Sequence, residues 1–579
     1  MKNRAKAAPW IVGILVATAL FGVCLLWNTV QYSGSDDAPI LRNYMGFEGG
    51  RIETFSMIVH PAMGWLLTGL AKLFPAVAWF SVFQLFFLWF SSVVVVKSFT
   101  RCAALHGRSL WVGAAIGTLA VAVGALWISM RISFTTTAAW LGAAAVAQLA
   151  SVDWAKGGGR AMRRGMALST ALLICCYLLR QVSVLPPLAF WLLGLALAWL
   201  SRRDKGLLKS ILAGVAVCAA LLLALTGARL LEKRLMHVEE TYAWNDASAL
   251  LLDYSDVDQI TPTDEALAAV GWTQAEYRMF CYWYFLDGNM TVENMTALYR
   301  STFANAGQPA GERLQGAVGL IRNAVRGTPS QAYGILFALT AALLCLALAA
   351  LRGFTGPFVW LGAIAAPLFG ALLLLYLGWE GRLPMRAMLS VTLPMLTLCA
   401  WQLCRNLEPA PGKGVRNAAA LLLCLPLLCP AALGAASAWN ESQKALLALR
   451  HELSVNETYI SEDLDTFAAE NPDLLIVYDL TLALDTRLFP RVPEPLAGNA
   501  LFWGGHAART PGWQAAFERL GVTQMDASIF LQDNVLLASV NAEPLPELCA
   551  YMEAQLSRDV DWQYYDSYGS INFFQFFAL

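Results

Sequence analysis

Charged residues are scarce in this 579-residue chain, and their scarcity excludes several classes of protein at once. Asp, Glu, Lys and Arg make up 14% of the sequence, against roughly 25% in an average soluble domain. Hydrophobic residues make up 58%, and the net charge is only −1. This composition excludes an ordinary cytosolic enzyme, a disordered protein and a nucleic-acid-binding protein. It is typical of a protein with much of its length in a membrane.

The sequence also lacks the short motifs of several common catalytic sites. It has 12 cysteines but no CxxC pair and no Cys/His cluster with metal-ligand spacing. Most of these cysteines lie inside apolar runs, where they act as small hydrophobic residues. No nucleotide phosphate-binding loop, Ser-His-Asp order or zinc motif is present. The sequence therefore gives no indication of a P-loop NTPase, a serine hydrolase or a zinc enzyme.

Long apolar runs, in contrast, recur along most of the chain. A membrane-spanning helix needs about 20 mostly apolar residues, and runs of this kind predict a polytopic α-helical membrane protein with about 11 transmembrane helices. The first run is too long, and too poor in cleavage-site features, for a cleaved signal peptide, so we expect an anchor. The predicted spans lie near residues 8–30, 78–96, 109–129, 133–150, 166–179, 183–200, 208–231, 331–351, 356–376, 385–404 and 418–438.

Two apolar segments differ from a simple span. Residues 57–74 are interrupted by a histidine, a proline and a lysine, and we expect residues 60–73 to form a helix that lies along the membrane surface. Residues 166–200 are too long for one span and carry an arginine, a glutamine and two prolines in the middle. We therefore expect a hairpin of two short helices with Arg180 near its tip.

The distribution of basic residues predicts the orientation. If residues 57–74 do not cross, one set of short segments holds 18 Lys and Arg residues but only three acidic residues. Basic residues in short loops favour the cytoplasmic side. We therefore expect a multi-pass protein of the cytoplasmic membrane with a cytoplasmic N-terminus and an extracytoplasmic C-terminal domain. The basic set comprises residues 1–7, 97–108, 151–165, 201–209, 352–355 and 405–417.

These spans divide the chain into four parts. An N-terminal transmembrane module, with its first outer loop, is followed by a large extracytoplasmic loop, a C-terminal transmembrane module and an extracytoplasmic tail. The tail alternates apolar, strand-like runs with helix-like runs, which predicts an α/β domain, and its length suits a small domain. The bounds are 1–231 with the loop 31–77, then 232–330, 331–438 and 439–579.

The first outer loop carries the most informative polar residues. Asp36 and Asp37 stand side by side a few residues after the first span. A carboxylate pair at a membrane surface can bind a divalent cation such as Mg²⁺ or Mn²⁺, or act as a general base. The other interpretation is a solvated loop pair, because adjacent aspartates are common.

The order of features around this pair resembles the N-terminal module of the GT-C superfamily of integral membrane glycosyltransferases. The resemblance is greatest to the branch that uses polyprenyl-phosphate sugars, which includes protein mannosyltransferases and aminoarabinose transferases. Asp36 and Asp37 match the acids of that family's first outer loop, and His60 and Pro61 match the start of its surface helix, although an alanine replaces the second proline. A weaker match lies at 378–398, where a leucine replaces the aromatic residue that follows the arginine.

The resemblance implies a GT-C-like fold and the transfer of a sugar from a polyprenyl-phosphate donor to a cell-envelope acceptor. It implies that Asp36 and Asp37 are catalytic or metal-binding. Such an enzyme also needs cations at headgroup depth to neutralise the phosphate leaving group, which makes Arg180 and Arg382 substrate-binding candidates, together with His60. The expected partners are a polyprenyl-phosphate-linked sugar, the lipid bilayer and the envelope acceptor, and no nucleic acid.

Less specific interpretations of these residues stay open. Arg180 also suits an interfacial arginine that extends from a helix end to the headgroups. Arg382 also suits an ion pair with Glu380, and His60 suits a purely structural helix start. At the level of the whole protein, the alternatives are a lipid or polysaccharide transporter and a non-catalytic envelope protein that binds glycan. The near absence of acids deep in the spans counts against an ion-coupled transporter.

Overall fold

The computed structural model shows a mostly helical chain with one larger sheet near the C-terminus. The structure describes residues 2–27, 30–33, 36–125, 128, 131–156, 159–253, 261–302, 309–326, 335–336, 338–345, 347, 357–381, 383–406, 433, 436–437, 440, 444, 460–480, 482, 487–490, 496–505, 507–522 and 526–579.

The described helices and strands are numbered in chain order. The α-helices are α1 (Lys2–Trp27), α2 (Asp37–Met45), α3 (Pro61–Leu73), α4 (Trp79–Leu105), α5 (Leu110–Gly124), α6 (Phe134–Ala150), α7 (Arg160–Leu179), α8 (Leu185–Leu200), α9 (Lys205–Leu235), α10 (Glu239–Asp253), α11 (Asp264–Ala268), α12 (Gln274–Cys281), α13 (Val292–Thr302), α14 (Ala310–Arg326), α15 (Pro357–Trp379), α16 (Met385–Asn406), α17 (Ile460–Glu470), α18 (Pro511–Arg519) and α19 (Leu545–Leu556). The strands are β1 (Gln31–Tyr32), β2 (Arg131–Ile132), β3 (Leu475–Tyr478), β4 (Ala500–Phe502), β5 (Val535–Ser539), β6 (Val560–Tyr568) and β7 (Ile571–Ala578).

The chain divides into two compact units, each built from segments that are distant in sequence. Unit 1 comprises residues 1–31, 82–227 and 310–448, and unit 2 comprises residues 32–81, 228–309 and 449–579. Unit 1 contains most of the apolar helices. Unit 2 draws on the three segments for which the sequence predicts an outer location.

Helix α6 is the centre of unit 1, and every one of its residues is buried. It packs against α7, α8 and α16. Its sequence is rich in alanine, and small side chains let neighbouring helices approach closely. The polar side chains around it are paired across helices: Trp140 Nε1 donates to Ser92 Oγ at 3.1 Å, and Thr137 Oγ1 donates to Gln84 Oε1 at 3.2 Å.

The prediction of a multi-pass helical membrane protein is confirmed. Among the described residues, six helices are long and apolar enough to cross a membrane: Ala7–Leu26, Trp79–Leu105, Arg160–Leu179, Val182–Leu200, Lys205–Leu235 and Met385–Arg405. Shorter apolar helices cover Leu110–Gly124 and Ala363–Trp379. The predicted span at 418–438 lies almost entirely outside the described residues, and the one at 331–351 lies partly outside them, so the number of eleven stays a prediction.

The long stretch 166–200 is two helices, as expected. Helix α7 ends at Leu179, a 3₁₀ turn occupies Val182–Val184, and α8 begins at Leu185. The prolines that follow Leu185 occupy the first turn of α8, where a missing backbone N–H leaves no intrahelical hydrogen bond unmade. Arg180 is the residue immediately after α7, so the predicted position at the break between the helices is confirmed.

Unit 2 contains a five-stranded mixed sheet in the order β4-β3-β5-β7-β6. Strand β3 pairs in parallel with β4 and β5, whereas β7 pairs antiparallel with β5 and β6. Strands β4, β3 and β5 are buried on both faces. This is usual for parallel strands, whose sequences are continuous apolar runs. The predicted α/β character of the tail is therefore confirmed, with strands at the apolar runs and helices at 511–519 and 545–556.

The aromatic segment CYWYFLDG (281–288) belongs to the core of unit 2. Tyr284 is fully buried, with its ring 5.5 Å from Trp503 and 5.1 Å from Tyr551. Phe285 N donates to the Trp503 carbonyl at 3.0 Å. The segment thus joins the middle of the chain to the tail as a packed aromatic cluster.

Candidate functional site

The predicted acid pair lies at the start of α2 in unit 2. Asp37 is the first residue of this helix, and Asp36 precedes it in the N-cap position without a side-chain cap hydrogen bond. A carboxylate in the first turn is stabilised by the partial positive charge of the helix N-terminus. Asp37 is only 1% exposed, whereas Asp36 is half-buried. The two acids are therefore not an equivalent, fully solvated pair.

Tyr32 shares the environment of Asp37. Burial raises the pKa of Tyr32 well above its usual value, and the negative charge of Asp37 raises it further, although a hydrogen bond with Ser81 acts in the opposite direction. The Tyr32 hydroxyl lies 2.6 Å from Ser81 Oγ, which in turn donates to the Leu488 carbonyl at 2.5 Å. Burial therefore favours the neutral form of Tyr32, and the chain of contacts ties the segment around Asp37 to the tail.

His60 begins the second helix of this region. Its backbone is extended, and its ring Nδ1 accepts a hydrogen bond from the Ala62 backbone N–H at 3.2 Å. A neutral imidazole that accepts at Nδ1 carries its proton on Nε2. His60 is fully buried, and Pro61 occupies the first helical position, where proline is favoured. The ring therefore acts as an N-cap. This is the structural helix start that the sequence analysis gave as the alternative to substrate binding.

Arg180 lies in unit 1. Its guanidinium donates to Thr135 Oγ1 at 2.5 Å and stacks over the Phe134 ring at 5.1 Å from the centroid. Both partners belong to the first turn of α6, so the charged end of Arg180 is oriented by a rigid helix terminus. Arg382 lies outside the described residues. The two acids belong to unit 2 and Arg180 belongs to unit 1, so the expectation that Asp36 and Asp37 meet Arg180 and Arg382 in one cavity stays a prediction.

A buried ion-pair network, which the sequence analysis missed, surrounds Arg42 in unit 2. The guanidinium donates to both carboxylate oxygens of Asp465, at 2.8 and 3.1 Å, and its Nε donates to Glu48 Oε1 at 3.1 Å. Tyr478 donates its hydroxyl to the same Glu48 oxygen, and Glu48 Oε2 accepts from the Phe502 backbone N–H at 3.3 Å.

The electrostatics of this network follow from its burial. Burial alone would lower the pKa of Arg42, but the charges of Asp465, Tyr478 and Glu48 outweigh it and the pKa is raised. Burial, with Glu48 next in size, raises the pKa of Tyr478. The sequence indicated this network only through an arginine inside the stretch ILRNYM. The main partner of that arginine, Asp465, lies more than 400 positions away and could not be identified from the sequence.

The described residues do not complete a metal site at the acid pair. Ca²⁺ and Mg²⁺ take six or more oxygen ligands. Within the described part of the chain, no group of three or more His, Cys, Asp or Glu residues is placed to hold a metal ion. Asp36 and Asp37 could therefore contribute at most two protein carboxylates to a cation there.

Comparison with known proteins gives similarity at the level of fold. No protein-family model and no curated protein sequence matches the chain. Six solved chains match it, and three of them are described below.

One is an Archaeoglobus fulgidus oligosaccharyltransferase in complex with zinc and sulfate, at a TM-score of 0.44 and 12% identity over 98% of this chain and 72% of that chain. The oligosaccharyltransferase AglB from the same organism, with an inhibitory peptide and a dolichol-phosphate, gives a TM-score of 0.42 and 12% identity over 99% and 74% of the two chains. ArnT from Cupriavidus metallidurans, bound to undecaprenyl phosphate, gives 0.36 and 12% over 98% of both. At such low TM-scores and identities these structures assign no activity and no residue role to this chain.

Proposed function

We propose that the protein is a membrane glycosyltransferase that moves a sugar from a polyprenyl-phosphate donor to a cell-envelope acceptor at the outer face of the cytoplasmic membrane. The observation that carries the proposal is the buried carboxylate of Asp37, at the start of the helix that follows the first candidate span. Burial of a carboxylate costs free energy, and ionisable groups in such perturbed environments are concentrated at functional sites. The half-buried Asp36 beside it supplies a second carboxylate with access to solvent.

The transfer step needs one base and one anion-binding group. Asp36 or Asp37 takes the proton of the acceptor hydroxyl, whose oxygen forms a bond to the anomeric carbon of the donor sugar. The bond between that carbon and the phosphate oxygen breaks, and its electron pair leaves with the polyprenyl phosphate. Arg180 and Arg382 neutralise the charge that develops on this leaving group. The expected Mg²⁺ or Mn²⁺ would need further ligands from lipid phosphate or water, and the step is written without it.

The contacts of Arg180 support its share in this proposal. An arginine near the end of a membrane helix is costly unless it is paired or solvated. Here Thr135 and Phe134 fix the orientation of its guanidinium. A guanidinium held in one orientation suits the fork-like recognition of a phosphate group.

Substitution of the acids tests the proposal. Asp36→Asn and Asp37→Asn proteins should insert normally, and at least one should lose about 10²–10⁴ in transfer rate, because general acid–base catalysis contributes a factor of this size. Asp533→Asn, which changes an exposed aspartate of the tail, is the matched control. Mass spectrometry of envelope glycans from cells that carry each variant provides the measurement. Full modification by both acid variants would overturn the proposal.

A further inference from the structure

Unit 2 contains a partly enclosed cavity that the acid pair does not line. The cavity, referred to below as the unit-2 cavity, has a volume of about 110 Å³. One wall comes from residues 39–57, which follow the start of α2, and the other comes from residues 501–516, at the end of β4 and the start of α18. The cavity lies near the carboxyl end of β4, which pairs in parallel with β3. Open α/β sheets bind their ligands at the carboxyl ends of their parallel strands.

The polar lining of the unit-2 cavity consists of hydrogen-bond acceptors and amides. Glu48, Glu53 and Asn43 contribute side chains on one wall, and Thr510 contributes a hydroxyl on the other. None of the lining residues in the described part of the chain is Lys, Arg or His. An anion such as a phosphate or carboxylate group would therefore meet two carboxylates in the lining, and the nearest positive charges act on Glu53 from outside it.

Two glutamates line the cavity, and Glu53 is the better candidate to accept a hydrogen bond from a ligand. Glu48 is already occupied by Arg42, Tyr478 and the Phe502 backbone. Glu53 is half-buried beside the first turn of α18, where a methyl group at Gly512 would come within 2.5 Å of its carboxyl carbon. Burial raises the pKa of Glu53, and the charges of Arg519 and Arg51 oppose that change. Glycine at position 512 thus lets the carboxylate lie against the cavity wall.

The remaining lining is apolar and rigid. Trp513 is buried, its indole N–H donates to the Phe502 carbonyl at 2.9 Å, and its ring contacts Phe517 edge-on at 4.8 Å. Phe55 and Met57 supply further apolar surface from the opposite wall. A fixed aromatic surface opposite carboxylate and amide groups suits a ring that has one C–H face and a rim of hydroxyl donors.

We propose that the unit-2 cavity binds one saccharide ring, with Glu53 and Asn43 accepting hydrogen bonds from its hydroxyls and Trp513 packing against its C–H face. A cavity needs about 10–15 Å³ to hold one water, so this volume suits a group with the size of a few waters up to one small ring. The absence of a three-ligand cluster among the described residues disfavours a metal ion. The role of the cavity as an acceptor subsite rests on the proposed function, whereas the binding itself does not.

Calorimetric titration of the purified full-length protein in detergent tests this proposal. Glucose, galactose, mannose and N-acetylglucosamine are the probes, with inorganic phosphate as the anionic comparison. We expect saturable binding of at least one sugar and no binding of phosphate. Glu53→Gln and Asn43→Ala should each weaken that binding about tenfold or more, because the first replaces a charged acceptor with a weaker neutral one and the second removes a hydrogen bond in a desolvated site.

Glu518→Gln is the matched control, since it makes the same chemical change on the exposed face of α18. It should leave the sugar affinity unchanged. Three results would each overturn the proposal. They are sugar binding that neither cavity variant weakens, binding of phosphate in place of sugar, and no saturable binding of any sugar. The last result counts only for protein that unfolds at its normal temperature and is therefore folded. A protein that binds a sugar but transfers none would contradict only the proposed glycosyltransferase function.

Discussion

Arg42 holds together three parts of unit 2 that are distant in sequence. Its guanidinium bridges Asp465 of α17 and Glu48 of the loop after α2, and Glu48 in turn accepts from Tyr478 at the end of β3. All of these groups are about nine-tenths buried or more. Both carboxylates depend on the single guanidinium for their positive partner, so loss of Arg42 leaves buried charge without compensation.

Removal of Arg42 should therefore destabilise unit 2. Arg42→Ala leaves two buried carboxylates without their cation, and breaking a buried pair in this way costs about 3–5 kcal/mol. We expect a clear fall in the apparent unfolding temperature of the purified protein, measured by thermal denaturation in detergent.

Two further variants make the Arg42 measurement specific. Arg558→Ala, at an exposed position, should leave the unfolding temperature unchanged. Adding Asp465→Asn to Arg42→Ala should recover part of the loss, because it removes one of the two stranded charges. An unfolding temperature for Arg42→Ala equal to that of the unsubstituted protein would contradict the stabilising role of the network.

Helix α3 shows what periodicity can and cannot predict. The His-Pro start and the apolar spacing predicted a helix over 60–73, and the helix covers Pro61–Leu73. With 13 residues, at about 1.5 Å each, it is too short for a hydrocarbon core of about 30 Å. Its position on the membrane surface stays a prediction.

The apolar residues of α3 are divided between two faces. The helical spacing of Met63, Leu66, Leu67 and Leu70 predicted one apolar face in the membrane interface, but Met63 and Leu67 are buried in the protein together with Gly64 and Thr68, whereas Leu66 is 46% exposed. Both faces of this helix are apolar, so the hydrophobic pattern alone could not separate the face that packs on protein from the face available to lipid. Only the neighbouring residues of unit 2 decide between the two.

The cap at the start of α3 gives an element-scale prediction. His60 Nδ1 accepts the Ala62 N–H, and loss of an N-cap acceptor costs about 1 kcal/mol. His60→Ala should therefore lower the stability of the protein more than His60→Asn, because asparagine is a good N-cap residue. Thermal unfolding of the two variants side by side measures the difference. Equal loss in both would show that the ring acts through packing and not through the cap.

Local elements of the whole molecule were predictable, and its long-range contacts were not. The strands at 475–478 and 535–539 follow short apolar runs, and the break at Arg180 follows from the prolines and the arginine themselves. The pairing of Arg42 with Asp465 joins residues more than 400 positions apart, and one sequence carries no signal for such a contact. The unit-2 cavity could not be predicted for the same reason, because its walls come from residues 39–57 and 501–516, which are distant in sequence.

The assembly of unit 2 makes the orientation of the tail decisive for the proposed glycosyltransferase function. The segment that holds Asp36 and Asp37 and the C-terminal sheet belong to the same compact unit. We expect such a unit to lie on one side of the membrane, because an open sheet has unpaired backbone groups at its edges and these are not tolerated in the hydrocarbon core. The excess of 18 basic over three acidic residues in the short loops predicts the extracytoplasmic side.

Cysteine accessibility tests this orientation. Asn534→Cys places a thiol at an exposed position just before β5, and we expect a membrane-impermeant maleimide to label it in intact cells well above the background of the unsubstituted protein. Ser201→Cys, in a loop predicted to be cytoplasmic, should be labelled only after permeabilisation. The reverse pattern would invert the topology. Because polyprenyl-phosphate sugars for envelope assembly are proposed to act at the outer face, inversion would also remove the acid pair from its donor, and the glycosyltransferase proposal would fail with it.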